Sequence, residues 1–154
     1  MNLLQTTTLT LAQQEQVRQL WNQEYPSQLS FAAPNNFQGW LTRLTNARHL
    51  LLVAETGSVR GWLTVFRREQ APWFVLIVDS AAHGQGFGTA LLAQTKAQKT
   101  ELNGWVVPHD DYRKLNGDVY RSPVAFYEKN GFAILHDQPL DSAHLSAIRI
   151  HWSR

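Results

Sequence analysis

One run, Leu76 to Leu92, constrains this 154-residue chain more than any other. Leu76-Ile77-Val78 is apolar and β-prone, Gly84, Gly86 and Gly88 follow at alternate positions, and Ala90-Leu91-Leu92 begins a helical pattern. Strand, glycine turn and helix start in that order make an anion cradle. With no side chains at the three glycines the backbone can approach a ligand closely. The first unpaired N–H groups of the helix then point at it with the positive end of the dipole behind them. A pyrophosphate is the ligand such a turn suits.

Three classes of phosphate-binding loop use glycines this way, and spacing separates them. A Walker loop needs Lys followed by Ser or Thr after its last glycine, whereas Gly88 is followed by Thr89-Ala90. A dinucleotide fingerprint fits better, since Gly84-x-Gly86 follows a strand and Asp110-Asp111 lies about where a ribose-binding carboxylate belongs. Thr89, however, stands where its third small residue should be, and too little sequence follows for the remaining βαβ repeats.

The third class matches in two places. His83-Gly84-Gln85-Gly86-Phe87-Gly88 resembles the acyl-CoA loop of the GCN5-related N-acetyltransferases (Gln or Arg, two residues, Gly, one residue, Gly or Ala), with His83 replacing the usual first residue. Ser122-Pro123-Val124-Ala125-Phe126-Tyr127-Glu128-Lys129-Asn130-Gly131-Phe132 resembles the family's later helix, which ends Phe-Tyr, three residues, Gly-Phe. The resemblance spans about two-thirds of the chain in order. It implies an α/β fold with a mixed, mostly antiparallel twisted sheet of six to seven strands and about four helices, built as one domain over residues 1–154.

Composition agrees with a single globular domain. Hydrophobic residues make up 44%, with six Trp and seven Phe, and the charged fraction of 17% is too low for a disordered tail or nucleic-acid arm. The net charge of +2 comes from scattered Lys and Arg, so nucleic acid is not an expected partner. No apolar run approaches the ~20 residues of a membrane span, and Met1-Asn2-Leu3-Leu4-Gln5 has no charged region ahead of an apolar one, so a cytoplasmic location without membrane contact is expected. There is no cysteine, which removes disulfides, thiolate metal sites and a cysteine acyl carrier. The six His show no paired ligand spacing, and no metal is expected.

Along the chain, Leu3 to Thr8 reads as a strand. Thr10 with Gln13 then offers a capping box for a helix carrying Val17, Leu20, Trp21 and Tyr25, which Pro26 stops. A second amphipathic piece with Phe37, Trp40, Leu41 and Leu44 follows a Pro34-Asn35-Asn36 turn. Leu50–Ala54 and Val59–Phe66 are strands joined through a hairpin turn at Glu55–Ser58, and Phe74–Val78 is the next strand. A helix from Gly88 to about Lys99, a strand over Gly104–Val107, a long polar loop Pro108–Arg121, and a helix capped by Ser122 and ended by Gly131 come next. Strands near Phe132–Leu135 and Leu145–Trp152 close the sheet.

The resemblance assigns chemistry to positions. It implies acetyl-CoA as cosubstrate and an amine as acceptor. Leu76, Ile77 and Val78 would hold the pantetheine arm and acyl group, and His83, Gly84, Gln85, Gly86, Phe87, Gly88 and Thr89 would hold the pyrophosphate. Tyr127 would be the general acid, since a phenol with pKa about 10 stays protonated at neutral pH. Many relatives have an Asn seven residues before that Tyr; this chain has Tyr120, with Ser122 as a candidate replacement. Carboxylates used by some relatives align near Pro72 and Val106, which transfer no proton. His109, beside Asp110 and Asp111, is then the first candidate base. Trp21, Glu24, Tyr25, Phe31 and Trp40 are either core or the walls of an acceptor site. A monomer or a homodimer fits the family. Because the carboxylates are missing, a non-catalytic acyl-CoA sensor is the alternative, followed by a nicotinamide dinucleotide binder.

Overall fold

The capping box forms as the local sequence requires. Thr10 Oγ1 accepts from the Gln13 N–H at 3.1 Å, the Gln13 side chain accepts from the Thr10 N–H at 2.9 Å, and α1 (Leu11–Glu24) follows. Val17, Leu20 and Trp21 recur at helical spacing and are buried. In the computed structural model, which describes residues 1–154, this helix lies against a seven-stranded sheet ordered β1-β2-β3-β4-β5-β7-β6.

The strands are β1 (Asn2–Thr6), β2 (Thr45–Val53), β3 (Val59–Arg68), β4 (Ala71–Val78), β5 (Glu101–Val106), β6 (Ala133–Pro139) and β7 (Ile148–Ser153). All neighbours pair antiparallel except β4 and β5, which are parallel. The other helices are α2 (Pro34–Thr42), α3 (Phe87–Lys96) and α4 (Val124–Lys129). The seven strands and four helices match the expected mixed sheet.

Alternation divides the apolar residues between two faces. On one, Leu51, Trp62 and Ile77 meet Val17, Leu20 and Trp21 of α1 and Phe37 of α2. On the other, Leu50, Leu63 and Phe74 meet Leu91 and Leu92 of α3 and Tyr127 of α4. Gly88 permits this second packing. A Cβ there would stand 2.9 Å from the Phe126 ring, so only glycine lets the loop-proximal turn of α3 rest on α4.

Several local readings differ from the structure. Pro34 does not form a turn but occupies the first position of α2, where its fixed φ and missing N–H cost nothing. Ser122 is not the N-cap of α4. Pro123 is, and the Ser122 hydroxyl donates instead to the Val107 carbonyl at 2.6 Å. The first strand ends at Thr6, α3 ends at Lys96, and β2 and β5 begin earlier than expected, because cross-strand pairing extends them through polar residues.

The β4–β5 pair governs the site. The only register point between them is Trp73 with Asn103, after which β4 runs on to Val78 and β5 to Val106 without pairing. The sheet therefore forks.

A buried histidine ties stability to pH. His49 is 5% exposed and its Nδ1 accepts from the Trp62 indole N–H at 3.2 Å, which places its proton on Nε2. Burial lowers its pKa from 6.5 to about 4. Between those values the unfolded chain binds the extra proton and the folded one does not, so stability is full above pH 6.5 and falls as pH drops toward 4. The linkage corresponds to at most about 3 kcal/mol. Urea unfolding across this window should show the decline in the wild type and a flatter acid limb in His49→Gln; parallel curves would remove His49 as its source.

Candidate active site

The fork opens into a cleft of about 690 Å³, lined by Leu76, Ile77 and Val78 on β4, by the glycine turn and start of α3, and by Tyr120, Pro123, Phe126 and Tyr127. Gly84 and Gly86 have φ of +77° and +81°, and a Cβ on either would meet nothing within 4 Å. The turn is thus left-handed where only glycine is unstrained, and open on its ligand side. Gly86 is also the N-cap of α3, so the free N–H groups of that helix face the cleft. These features suit an anionic diphosphate.

The exposed edge of β4 has its own pattern. The Asp79 N–H bonds the Arg60 carbonyl on β3, so alternation turns the backbone of Ile77 toward β3 and that of Leu76 and Val78 toward the fork. Two carbonyls on this edge already have partners. The Tyr25 hydroxyl reaches Leu76 O at 3.5 Å, and His83 Nε2 donates to Val78 O at 2.7 Å. Of the three positions expected to hold an acyl arm, Leu76 and Val78 therefore present backbone groups, while Ile77 contributes its place in the core at 3% exposure.

Three phenols converge at the inner end. Tyr25, Tyr120 and Tyr127 all line the cleft. Burial raises all three pKa values, Tyr120 to about 12 and Tyr25 and Tyr127 well above the usual phenol value; the Glu24 charge adds to the effect at Tyr120, and neighbouring phenols add to it at Tyr25 and Tyr127. All three stay protonated across the working range of an enzyme. Tyr127 packs edge-on against Phe74, Phe126 and Phe132, which fixes the direction of its ring.

The carboxylate in the cleft is Glu24. Burial alone would raise its pKa, but donors outweigh this and lower it: the Ser80 N–H and hydroxyl, both at 2.9 Å, the Gln23 amide, and Lys114 Nζ at 3.2 Å. Glu24 is thus an anchored anion that ties α1 to the turn after β4 and to the 108–121 loop. Ser27 N–H bonded to Arg113 O at 2.8 Å is a second tie. Asp79 accepts from the Ala81 N–H and faces Arg60, which makes it a turn cap.

Other expected positions lie elsewhere. His109 is outside the cleft lining; its Nδ1 accepts from the Asp111 N–H at 3.1 Å and its ring packs on Tyr112. Ser122 and Gln85 are also outside the lining, and the Ser122 N–H is bound to Asp110. No group of three or more acidic, His or Cys side chains is placed to hold a metal, and no helix is long and apolar enough to cross a membrane. Sequence reasoning missed the convergence of Tyr25 and Tyr120 on Tyr127; the aromatic residue in place of the expected Asn was its one trace.

A sheet forked between parallel strands, with a glycine turn on a helix N-terminus at one end and buried phenols at the other, defines a class of acyl-CoA-dependent transferases. Residues 46–134 match the family model of the acetyltransferase (GNAT) domain, and the chain belongs to that family of acetyl-CoA-dependent N-acetyltransferases. Solved structures agree on the fold. An aminoglycoside 6'-N-acetyltransferase complexed with coenzyme A is 12% identical with a TM-score of 0.69, covering 99% of this chain and 97% of its own. A phosphinothricin acetyltransferase from Sinorhizobium meliloti in complex with AcCoA is 14% identical with a TM-score of 0.67, covering 99% and 89%. A spermidine N-acetyltransferase mutant from Vibrio cholerae is 12% identical with a TM-score of 0.64, covering 99% and 95%. No curated protein matches the sequence.

Lys114→Met keeps the side-chain stem and removes the cation from Glu24. A loss of about 1–3 kcal/mol is expected for a buried carboxylate left with its Ser80 and Gln23 donors but without its cation, read as a lower urea midpoint with faster proteolysis between 108 and 121. An unchanged midpoint would show that the tie contributes nothing.

Proposed function

We propose that the chain acts as one domain that acetylates a primary amine directly from acetyl-CoA in the fork, with no enzyme-bound acyl intermediate. Acetyl-CoA supplies the activated acyl group. The observation that carries this reading is the continuous cleft from Gly84 and Gly86 to Tyr127.

In this reading the N–H groups at the start of α3 and its open glycine turn hold the diphosphate, and the fork-facing edge of Leu76 and Val78 orients the arm. His83 stiffens the turn by holding Val78 O. Tyr127 is the proton donor to the departing sulfur, because its raised pKa keeps it protonated and the cleft reaches it. Glu24, held by Ser80 and Lys114, orders the mouth rather than taking the amine proton. The absence of cysteine from the sequence is consistent with direct transfer. A cytoplasmic location belongs to the same proposal.

Tyr127→Phe should lower kcat about 100-fold while acetyl-CoA still raises the melting temperature as in the wild type; equal turnover would remove the phenol from the reaction. Thr89→Glu separates binding from folding. A carboxylate in the first turn of α3 stabilises the helix by about 0.3–1 kcal/mol, yet it faces the diphosphate. The free variant should melt at or slightly above the wild-type temperature and lose most of the acetyl-CoA-induced rise. Retention of that rise would place the diphosphate elsewhere.

A further inference from the structure

A second cavity, of about 250 Å³, lies beyond the phenols, and 17 of its 19 lining residues are hydrophobic. Tyr25, Leu76, Tyr120 and Tyr127 line both this cavity and the cleft, so the two spaces share one wall. We infer that this cavity takes the acceptor, and that the acceptor is a small aromatic amine of low basicity, bound neutral, with a hydrogen-bond-accepting group on the ring end remote from its nitrogen. The inference rests on the acetyltransferase reading above and narrows it to a substrate class.

Charge decides against an alkylammonium. The cavity has no carboxylate, and its one charged lining residue is Arg68, which repels a cation. Glu24 lines the cleft instead and is already bound to Lys114. Bringing an unpaired ammonium into such a space costs several kcal/mol. At the Trp73 end the aromatic wall does not compensate as a cation-binding surface, because that ring already carries two guanidinium groups, Arg149 at 5.3 Å and Arg68 at 5.9 Å. An amine that is neutral at pH 7 avoids the cost and needs no base to strip a proton before attack, in keeping with the lack of a free carboxylate here.

Shape and polarity give the rest. Trp21, Trp40, Trp73 and Trp105 make a wall suited to a flat ring. Trp73 is 3% exposed, and its indole Nε1–H has no hydrogen-bond partner. Trp73 lines the cavity, and a buried donor without a partner is satisfied where a ligand brings an acceptor atom within its reach. Arg68, stacked on Phe66 without a carboxylate partner, adds a second donor at the same end. In the transfer the amine nitrogen bonds the acetyl carbon, the carbon–sulfur bond breaks, and one amine proton ends on the sulfur, giving the arylamide and free CoA.

Quenching of tryptophan fluorescence in the presence of CoA, together with thiol release from acetyl-CoA, tests this with 4-methoxyaniline, aniline, tyramine and spermidine. At pH 7, 4-methoxyaniline should bind at least about tenfold more tightly than tyramine, and the gap should narrow toward pH 10 as the alkylamine loses its proton. Trp73→Phe, which keeps a ring and removes the N–H, should weaken 4-methoxyaniline about tenfold and leave aniline unchanged. Leu145→Trp should abolish quenching by both while preserving the acetyl-CoA-induced rise in melting temperature. Tyramine or spermidine binding as well as the anilines at pH 7 would overturn the inference, as would aniline binding that ignores Leu145→Trp. A wild type that shows no acetyl-CoA-induced rise would instead overturn the acetyltransferase reading beneath it.

Discussion

The Asn103 amide is the point from which the working geometry departs. It is fully buried, and its Nδ2 donates to the Pro72 carbonyl at 3.1 Å and to Glu101 at 3.0 Å. Its Oδ1 accepts from Arg149 Nε at 3.1 Å, Arg149 Nη2 at 2.6 Å and His151 Nδ1 at 2.9 Å. One side chain thus joins β4, β5 and β7 at the level where β4 and β5 last pair. Buried polar networks that are fully satisfied favour one arrangement over alternatives. Here the arrangement is a sheet that is closed at Asn103 and free to part beyond it.

The groups given roles in the proposed reaction lie on the open side of that clamp. A donor-rich turn, two fork-facing strand residues and three enclosed phenols follow one another along the cleft, so polarity falls from its mouth to its floor. In the proposed reading the mouth needs exposed N–H groups, because a diphosphate that arrives hydrated must exchange those contacts. The floor needs enclosure, because a phenol keeps its proton best where ionisation is costly. Glu24 marks the transition as a buried carboxylate stabilised by three neighbouring residues from separate parts of the chain.

Features set by neighbours in sequence were legible. The Thr10–Gln13 box, the left-handed glycines before α3 and the inward Leu91 and Leu92 each depend on spacing within a few residues. Features made by distant contacts were not. Lys114 meets Glu24 across 90 positions and Asn103 meets Arg149 across 46, and neither pair leaves a periodic signature. His109 has the right chemical type for a base, yet the path of the 108–121 loop, set by ties at Arg113, Lys114 and Tyr112, keeps it out of the cleft. Pro34 shows a subtler failure: proline punctuates turns and also begins helices, and only the burial of Phe37 and the packing of Trp40 decide between them.

The wall shared by the cleft and the apolar cavity limits how such a molecule can diversify. Exchanges at Trp73 or Arg68 touch the cavity alone, and exchanges at Thr89 touch the cleft alone. Tyr25, Leu76, Tyr120 and Tyr127 belong to both, so a change in any of them alters two surfaces at once. On the proposed reading, drift in ligand preference has two independent ends and a common middle that resists piecemeal change.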